Sequence, residues 1–278
     1  MQAFADRSRK QGKIIAFVPT MGYLHEGHAT LIRDAASRGD VAVVSIFVNP
    51  TQFGPGEDLE AYPRDFERDR KLAENAGAGI IFFPTPQEMY GKNFQTFVQL
   101  EKLPLHLCGL SRPVHFRGVA TVVSKLFHIV KPHIAIFGQK DWQQLQVIRQ
   151  MVRDMNFDIE IIGAPIVRES DGLAMSSRNV YLNPEQRKQA LCLYQSLCRA
   201  EEMVKNGITD AAEIIGMAAG LISACPEAKT DYIRICDPET LEELKTADCP
   251  ALMALAVKVG KTRLIDNMLL NDTQQIGK

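Results

Sequence analysis

Short apolar runs alternate with stretches of helical periodicity through the first 167 residues. Residues 13–18 are apolar and β-branched after their leading lysine, and they run into Pro19 and a Gly-rich turn. Residues 27–38 place Leu31, Ile32, Ala35 and Ala36 at helical spacing. Residues 41–48 form a continuous apolar run, as expected of a strand covered on both faces. Residues 58–75 are charged and helix-favouring, 79–83 read as a short buried strand and 119–130 as a helix. Residues 133–137 read as a strand, 142–155 as a helix and 159–162 as a strand.

Strand, helix, strand, repeated, predicts parallel strands with right-handed crossovers and helices on both faces. The expectation for residues 1–167 is therefore an α/β domain with a Rossmann-like, doubly wound parallel sheet. From about Val167 the pattern changes. Residues 184–206 read as one long helix with Pro184 near its start, and 210–224 as a second. Residues 232–236, 251–259 and 263–269 read as strands, so 168–278 is expected to be a second, smaller α+β domain. In doubly wound sheets, ligands bind at the carboxyl ends of the strands, near the switch in strand order. The informative residues should follow each strand.

Composition narrows the classes. The chain has 278 residues, 46% apolar and 23% charged, which excludes disorder as the main state. Lys plus Arg number 32 and Asp plus Glu 33, a net charge of -1, so bulk charge does not hold this protein to nucleic acid. A local basic pocket for phosphates stays open. No run reaches the roughly 18–20 apolar residues of a membrane span. Residues 1–12 carry Asp6, Arg7, Arg9 and Lys10 and do not read as a secretory signal. The six cysteines include no C-x-x-C pair and read as small buried hydrophobes. The expected compartment is cytoplasmic, with neither membrane nor nucleic acid as partner.

Five segments carry chemistry. PTMGYLHEGH, residues 19–28, follows the first strand and opens the first helix. Its His25 and His28 lie at a helix N-terminus, where free N–H groups and the dipole attract phosphate oxygens. Two imidazoles add donors as charge builds on a transferring phosphate. A metal pair or two surface histidines would show the same letters, but nearby Cys or carboxylate spacing supplies no further ligands. No G-K-[ST] follows, so this is not a Walker A loop. VSIFVNPTQF places Asn49 and Gln52 at the end of the second strand, either as neutral ligands for a hydroxyl and a carboxylate or as solvent-facing amides of an Asn-Pro turn. Arg112, His115 and Arg117 cluster before a helix, as an anion site, an interface or a solvated loop. FGQKDWQQ offers Gly138 for a sharp turn, Lys140 for phosphates, Asp141 for a ribose hydroxyl and Gln144 one turn into the helix; a plain capped helix start is the alternative. DGLAMSSRN supplies Ser176, Ser177 and Arg178, suited to a triphosphate, in what is otherwise a flexible linker.

Taken together, these strings resemble the pantothenate synthetase (pantoate–β-alanine ligase) family of H-x-G-H nucleotidyltransferases. The resemblance covers nearly the whole chain and also rests on EDLEAYPRD, SRPVHFRGVATVVSKLF, QLQVIRQMV and the late TRLIDN. It implies that pantoate's carboxylate attacks the α-phosphate of ATP, and that β-alanine then attacks the acyl adenylate, releasing pantothenate and AMP. It implies catalytic roles for His28, His25, Lys140 and Arg178, with His28 the position usually described as a proton donor. ATP would be lined by Met21, Gly22, Tyr23, Leu24, His25, Glu26, Gly27, His28, Gly138, Gln139, Lys140, Asp141, Val167, Met175, Ser176, Ser177 and Arg178. Gln52 and Gln144 would hold pantoate, with Gln52 near β-alanine and Asn49 shaping the pocket. Gln139 stands where many relatives carry Glu. The resemblance also implies a homodimer, for which the apolar stretch 119–127 is the sequence support. Mg²⁺ comes with ATP chemistry, without assigned protein ligands. The acidic stretch 57–69 reads as a solvated helix face rather than a metal site.

Two other readings compete. A related nucleotidyltransferase acting on a phosphorylated substrate would want basic residues where Asn49, Gln52 and Gln144 are neutral. A silent nucleotide-binding regulator would lack His28, Lys140 or Arg178, and all three are present.

Overall fold

The apolar runs become strands whose side chains alternate between two cores. In the computed structural model, which describes residues 1–271, α1 (Gln2–Lys10) leads into β1 (Ile15–Thr20), α2 (Glu26–Arg38) and β2 (Val41–Ile46). Next come α3 (Phe66–Asn75), β3 (Ile80–Phe82), α4 (Pro86–Met89) and α5 (Leu107–Ser111). They are followed by α6 (His115–Val130), β4 (Ile134–Gly138), α7 (Trp142–Asp154) and β5 (Glu160–Ala164). The remainder is α8 (Pro184–Gln189), α9 (Cys192–Lys205), α10 (Ala211–Ser223), β6 (Ala228–Cys236), β7 (Ala251–Val259) and β8 (Thr262–Leu270).

The chain forms two compact units. The first takes Met1–Pro104, Arg112–Gln139 and Gln144–Val167. Its sheet is parallel, in the order β3-β2-β1-β4-β5. Along β1, Ile15 and Phe17 join Val119, Phe127 and Leu145 in one core, while Ala16 and Val18 join Leu24 and Ile32 in the other. Successive strand residues face opposite ways, so burial on both faces demands apolar residues at both parities. Strand order switches between β1 and β4, as in other doubly wound sheets.

The second unit takes Leu105–Ser111, Lys140–Gln143 and, of the described residues, 168–271. Its antiparallel sheet runs β6-β7-β8. One face packs on α9 and α10 through Leu193, Leu197, Ile214, Met253, Leu255 and Leu264. The expected α/β fold with a smaller α+β part is thus observed.

Boundaries differ where local chemistry outweighs periodicity. The helix expected over 58–75 starts only at Phe66, because Asp65 caps it by accepting from Arg68 N–H at 3.1 Å. Before it, Arg64 donates to the carbonyls of Leu59 and Tyr62, both at 2.8 Å, and holds a turn. The helix expected over 184–206 is pinched into α8 and α9: Leu191 and Leu193 bond back three residues, to Lys188 and Ala190. The helix expected from 119 begins at His115. Sequence reading missed α1, whose Arg9 donates to the Lys131 carbonyl at 2.9 Å while Asp6 pairs with the Lys131 ammonium at 2.5 Å. Among the described residues, no helix is long and apolar enough to cross a membrane.

Candidate active site

In the first unit the chemistry-bearing residues follow the strands at their carboxyl ends. After β1 the backbone turns through two consecutive left-handed residues, Gly22 (φ 87°) and Tyr23 (φ 49°). Tyr23 lacks glycine's freedom at positive φ, so the turn needs an external hold. Asp69, on the first turns of α3, supplies it. Its carboxylate accepts from the backbone N–H groups of Tyr23 and Leu24, each at 2.6 Å, and is 1% exposed. A Cβ on Gly22 would lie 3.0 Å from Asp69 Oδ2 and from Ile46 Cγ2, so glycine is required twice over. Burial pushes the Asp69 carboxyl up, and the two N–H donors oppose that rise. The Arg68 guanidinium lies 4.6 Å from the Tyr23 ring centroid. Within 57–69, Glu60, Asp65, Glu67 and Arg68 are exposed, as expected of a solvated face, but Asp69 is buried.

The held turn delivers His25 to the N-cap of α2 in extended conformation, with His28 one turn on. Their rings lie 4.1 Å apart between centroids. His28 Nδ1 accepts from His25 N–H at 3.3 Å, which in the neutral ring leaves the proton on Nε2 as a donor. Glu26, exposed beside them, pairs with Arg33 at 2.7 Å. Gly27 occupies the turn between the two imidazoles, and Met21 is half-buried at its start.

After β2, Asn49 and Gln52 flank a short turn and are buried, 1% and 7% exposed, so they are not solvent-facing amides. Asn49 is fully engaged. Its Nδ2 donates to Gln52 Oε1 at 3.1 Å and to the Gly118 carbonyl at 3.2 Å. Its Oδ1 accepts from Tyr90 O–H at 2.7 Å and Thr51 O–H at 3.0 Å. Among the described residues, Gln52 Nε2 meets only the weak acceptor Met21 Sδ, at 3.0 Å, and can be given up to a stronger one. Tyr90 escaped sequence reading, since no spacing links it to Asn49; burial raises its phenol pKa.

The Arg112–His115–Arg117 segment is a helix start, with His115 buried at the head of α6 and Arg117 exposed. His115 Nδ1 bonds the Gln52 carbonyl at 2.9 Å, and Arg112 reaches the same oxygen at 3.4 Å. Arg112 also pairs with Glu57 at 2.5 Å; burial would raise the Glu57 carboxyl, but this bond and charge hold it below the ordinary range. Arg117 covers the Phe97 ring. Gly118 lets α6 approach the turn, because a Cβ there would sit 2.3 Å from the Thr51 carbonyl oxygen.

Gly138 ends β4, and a Cβ added to it would meet nothing within 4 Å. It is not at positive φ, so the sharp turn expected of it is not what glycine supplies. Gln139 donates to the Gly163 carbonyl at 3.2 Å. Gln144 lies on the first turn of α7 and Val167 beyond β5, both half-buried.

The second unit holds the remaining residues. Lys140 and Asp141 lie 3.8 Å apart, ammonium to carboxylate. Ser176 caps a short helical turn by accepting from Arg178 N–H at 3.2 Å, following Met175 and with Ser177 buried. Asn179 Nδ2 donates to Glu169 at 2.9 Å and to the Ala174 carbonyl at 3.2 Å, so the segment is tied down on both sides.

In the first unit, two imidazoles at a helix N-terminus can meet an anion, and known proteins resemble the chain along nearly its full length. A family model described as Pantoate-beta-alanine ligase matches residues 1–269. Pantothenate synthetase of Desulfatibacillum aliphaticivorans is 64% identical over 270 residues, spanning 97% of this chain and 96% of its own. Pantothenate synthetase of Thermotoga neapolitana is 59% identical over the same length. Among solved structures, pantothenate synthetase from Thermus thermophilus matches with a TM-score of 0.90 and 47% identity, over 95% of this chain and 96% of that one. Pantoate-beta-alanine ligase from Francisella tularensis, complexed with beta-gamma ATP and beta-alanine, matches with a TM-score of 0.79 and 33% identity over 96% and 94%. With sequence and fold in agreement along nearly its full length, the chain belongs to the pantoate–β-alanine ligase family.

Proposed function

We propose that this chain performs its family's ligation in two steps, through an acyl adenylate. In the first, a pantoate carboxylate oxygen attacks the α-phosphorus of ATP, the bond to the β-phosphate oxygen breaks, and pyrophosphate leaves. In the second, the β-alanine amine attacks the acyl carbon, the bond to AMP breaks, and the amine proton is lost as the amide forms. A carboxylate is a poor acylating agent at neutral pH; the mixed anhydride is a good one.

The observation that carries the proposal is the pair of imidazoles at the head of α2, held by Asp69 beside two buried amides. Helix N-terminal N–H groups and the His25 and His28 donors meet charge developing on the α-phosphate. His28 acts chiefly by electrostatic stabilisation, since adenylation needs no proton transfer to pyrophosphate. Met21, Gly22, Tyr23, Leu24, Glu26 and Gly27 line the nucleotide with Gly138, Gln139, Val167 and Met175. Gly138 and Asp141 address the ribose, and Lys140, Ser176, Ser177 and Arg178 the phosphates. Gln52 and Gln144 hold pantoate without placing a charge beside the reacting carboxylate, and Asn49 fixes Gln52. We place the nucleotide- and pantoate-binding domain at residues 1–167 and the domain carrying the MSSR loop at 168–278, although 105–111 and 140–143 fold with the second unit.

Among the described residues, no group of three or more His, Cys, Asp or Glu could hold a metal ion. We infer that Mg²⁺ enters with the ATP substrate, since it commonly sits on nucleotide phosphates rather than in an all-protein cage. We place the reaction in the cytoplasm, where six free cysteines fit a reducing milieu, in a homodimer. The dimer rests on the family alone, because residues 119–127 are largely buried in the first unit's core.

Pantoate-dependent exchange of labelled pyrophosphate into ATP tests the scheme. Exchange is expected without β-alanine, and net AMP release only with it. His28→Gln should lower exchange by about 10²–10³-fold, the usual loss for one transition-state donor. Exchange that requires β-alanine would rule out the free adenylate.

A further inference from the structure

The TRLIDN segment has no part in the chemistry above, yet two adjacent residues of it each grip a segment that the proposed function uses. Asp266, 2% exposed on β8, receives the Arg168 guanidinium in a fork at 2.6 and 3.0 Å. Arg168 is the foot of a tight hairpin. It bridges Ala174, donates to the Gly172 carbonyl at 3.1 Å and lies 4.3 Å over the Tyr194 ring. Gly172 is at φ 98°, and a Cβ there would come within 2.0 Å of that ring, so the hairpin is pressed home. The hairpin runs directly into residues 175–178, and Asn179 ties their far end back to the Ala174 carbonyl. Asn267, 5% exposed and pointing to the other side of β8, donates Nδ2 to the backbone carbonyl of Lys140 at 2.9 Å.

A buried Arg–carboxylate fork is weak support for stability, because desolvating both ions offsets most of their attraction. Its better-attested use is to fix one geometry where apolar packing would allow several. Here the fixed element is a strand that cannot stretch. Asp266 and Asn267 are consecutive, so the hairpin foot and the Lys140 carbonyl are held at one separation.

We infer that Asp266 and Asn267 are positioning residues, which set Lys140 and the Ser176–Ser177–Arg178 segment in a single arrangement toward the triphosphate. The inference rests on the proposed roles of Lys140 and Arg178. Neither Asp266 nor Asn267 touches substrate in this account; Asn267 acts through the Lys140 backbone, and Asp266 through Arg168 and the hairpin that leads into 175–178.

The test is steady-state pyrophosphate exchange with single and double variants. Asn267→Ala and the isosteric Asn267→Asp both remove the donor. Each should raise KM for ATP about tenfold, the worth of one hydrogen bond, with KM for pantoate unchanged. In a Lys140→Ala background, which keeps the carbonyl, Asn267→Ala should add little, because the two act as one unit. Arg168→Lys keeps the charge but not the fork, and should behave likewise against Arg178→Ala. It also reads the hairpin arm if Asp266→Asn does not fold. Wild-type KM for ATP in both Asn267 variants, or fully multiplicative losses in the double variants, would overturn the inference. If Lys140→Ala and Arg178→Ala themselves left exchange intact, the reading of those two residues would fall first and take this inference with it.

Discussion

Asp69 is a carboxylate removed from water, and among the described residues no cation approaches it closer than Arg68 at 3.7 Å. Such a group persists when its acceptors are used, and here both oxygens are, by two backbone N–H groups of a turn that bends the wrong way for an L-residue. Asp69→Asn keeps the shape but turns an NH₂ toward one of those N–H groups. Asp69→Ala leaves both donors unanswered. Either change should cost about 1–3 kcal/mol by urea unfolding, the penalty for stranded buried groups. Exchange activity should fall by more than stability alone explains, because His25 and His28 ride on the turn. A variant that folds less stably but exchanges at the wild-type rate would separate Asp69 from the site. In the sequence Asp69 is one acid among many between 57 and 69, and nothing in its spacing tells it from a solvated one. His25 and His28 were legible because a glycine-rich turn between a strand and a helix is a local event. Their support was not, because it comes from 45 residues away.

Elements show the same division. Strands of the parallel sheet were readable because two-sided burial writes a continuous apolar run, and β2 needs no partner to be recognised. The role of α6 was not readable, since it depends on what the helix lies against. Gly118 on α6 touches the backbone at Thr51 and Gln52, and that contact seats Asn49 and Gln52. Gly118→Ala forces helix and turn apart, so an overpacking cost of about 1–3 kcal/mol is expected, with a raised KM for pantoate and a nearly unchanged KM for ATP. Equal effects on both would mean that the turn does not serve pantoate alone. The link between β1 and β4 carries a titratable group. His133 Nδ1 accepts from Ile15 N–H at 3.0 Å, and burial, helped by Arg9, holds its pKa below the ordinary 6.5 while Asp158 pulls the other way. A proton on Nδ1 abolishes the acceptor. The neutral ring's contribution is therefore complete above the unfolded value and is lost as pH falls through the lower folded one. The thermal midpoint should drop as pH is taken from 7.5 through about 6.5 and below. In His133→Asn, which keeps an acceptor but has no proton to gain, that drop should be smaller. An identical acid profile in the variant would remove His133 as its source.

At the scale of the molecule, the two sheets have separate cores and separate grammars. The parallel sheet is written in continuous apolar runs divided by helical stretches, the antiparallel one in three late strands after a run of helices. Both were legible because each is written in contiguous sequence. What contiguity hides is that residues 105–111 and 140–143 fold with the second unit although the chain around them folds with the first. Lys140 is thus followed, four residues on, by Gln144 in the other unit, and a list of site residues in sequence order mixes the two. The proposed nucleotide residues can be tried unit by unit with hydrogen exchange in the presence of Mg–ATP. Slower exchange is expected over residues 21–28 of the first unit and over 175–178 of the second. At 100-fold saturation, ligand linkage adds about 2.7 kcal/mol to any unit whose unfolding releases ATP. Protection confined to 21–28 would leave Ser176, Ser177 and Arg178 outside the nucleotide site. Protection confined to 175–178 would do the same for His25 and His28, and with them the electrostatic account of adenylation. Protection in both segments, lost only from 21–28 in Asp69→Ala and only from 175–178 in Arg168→Lys, would assign each anchor to the segment it holds.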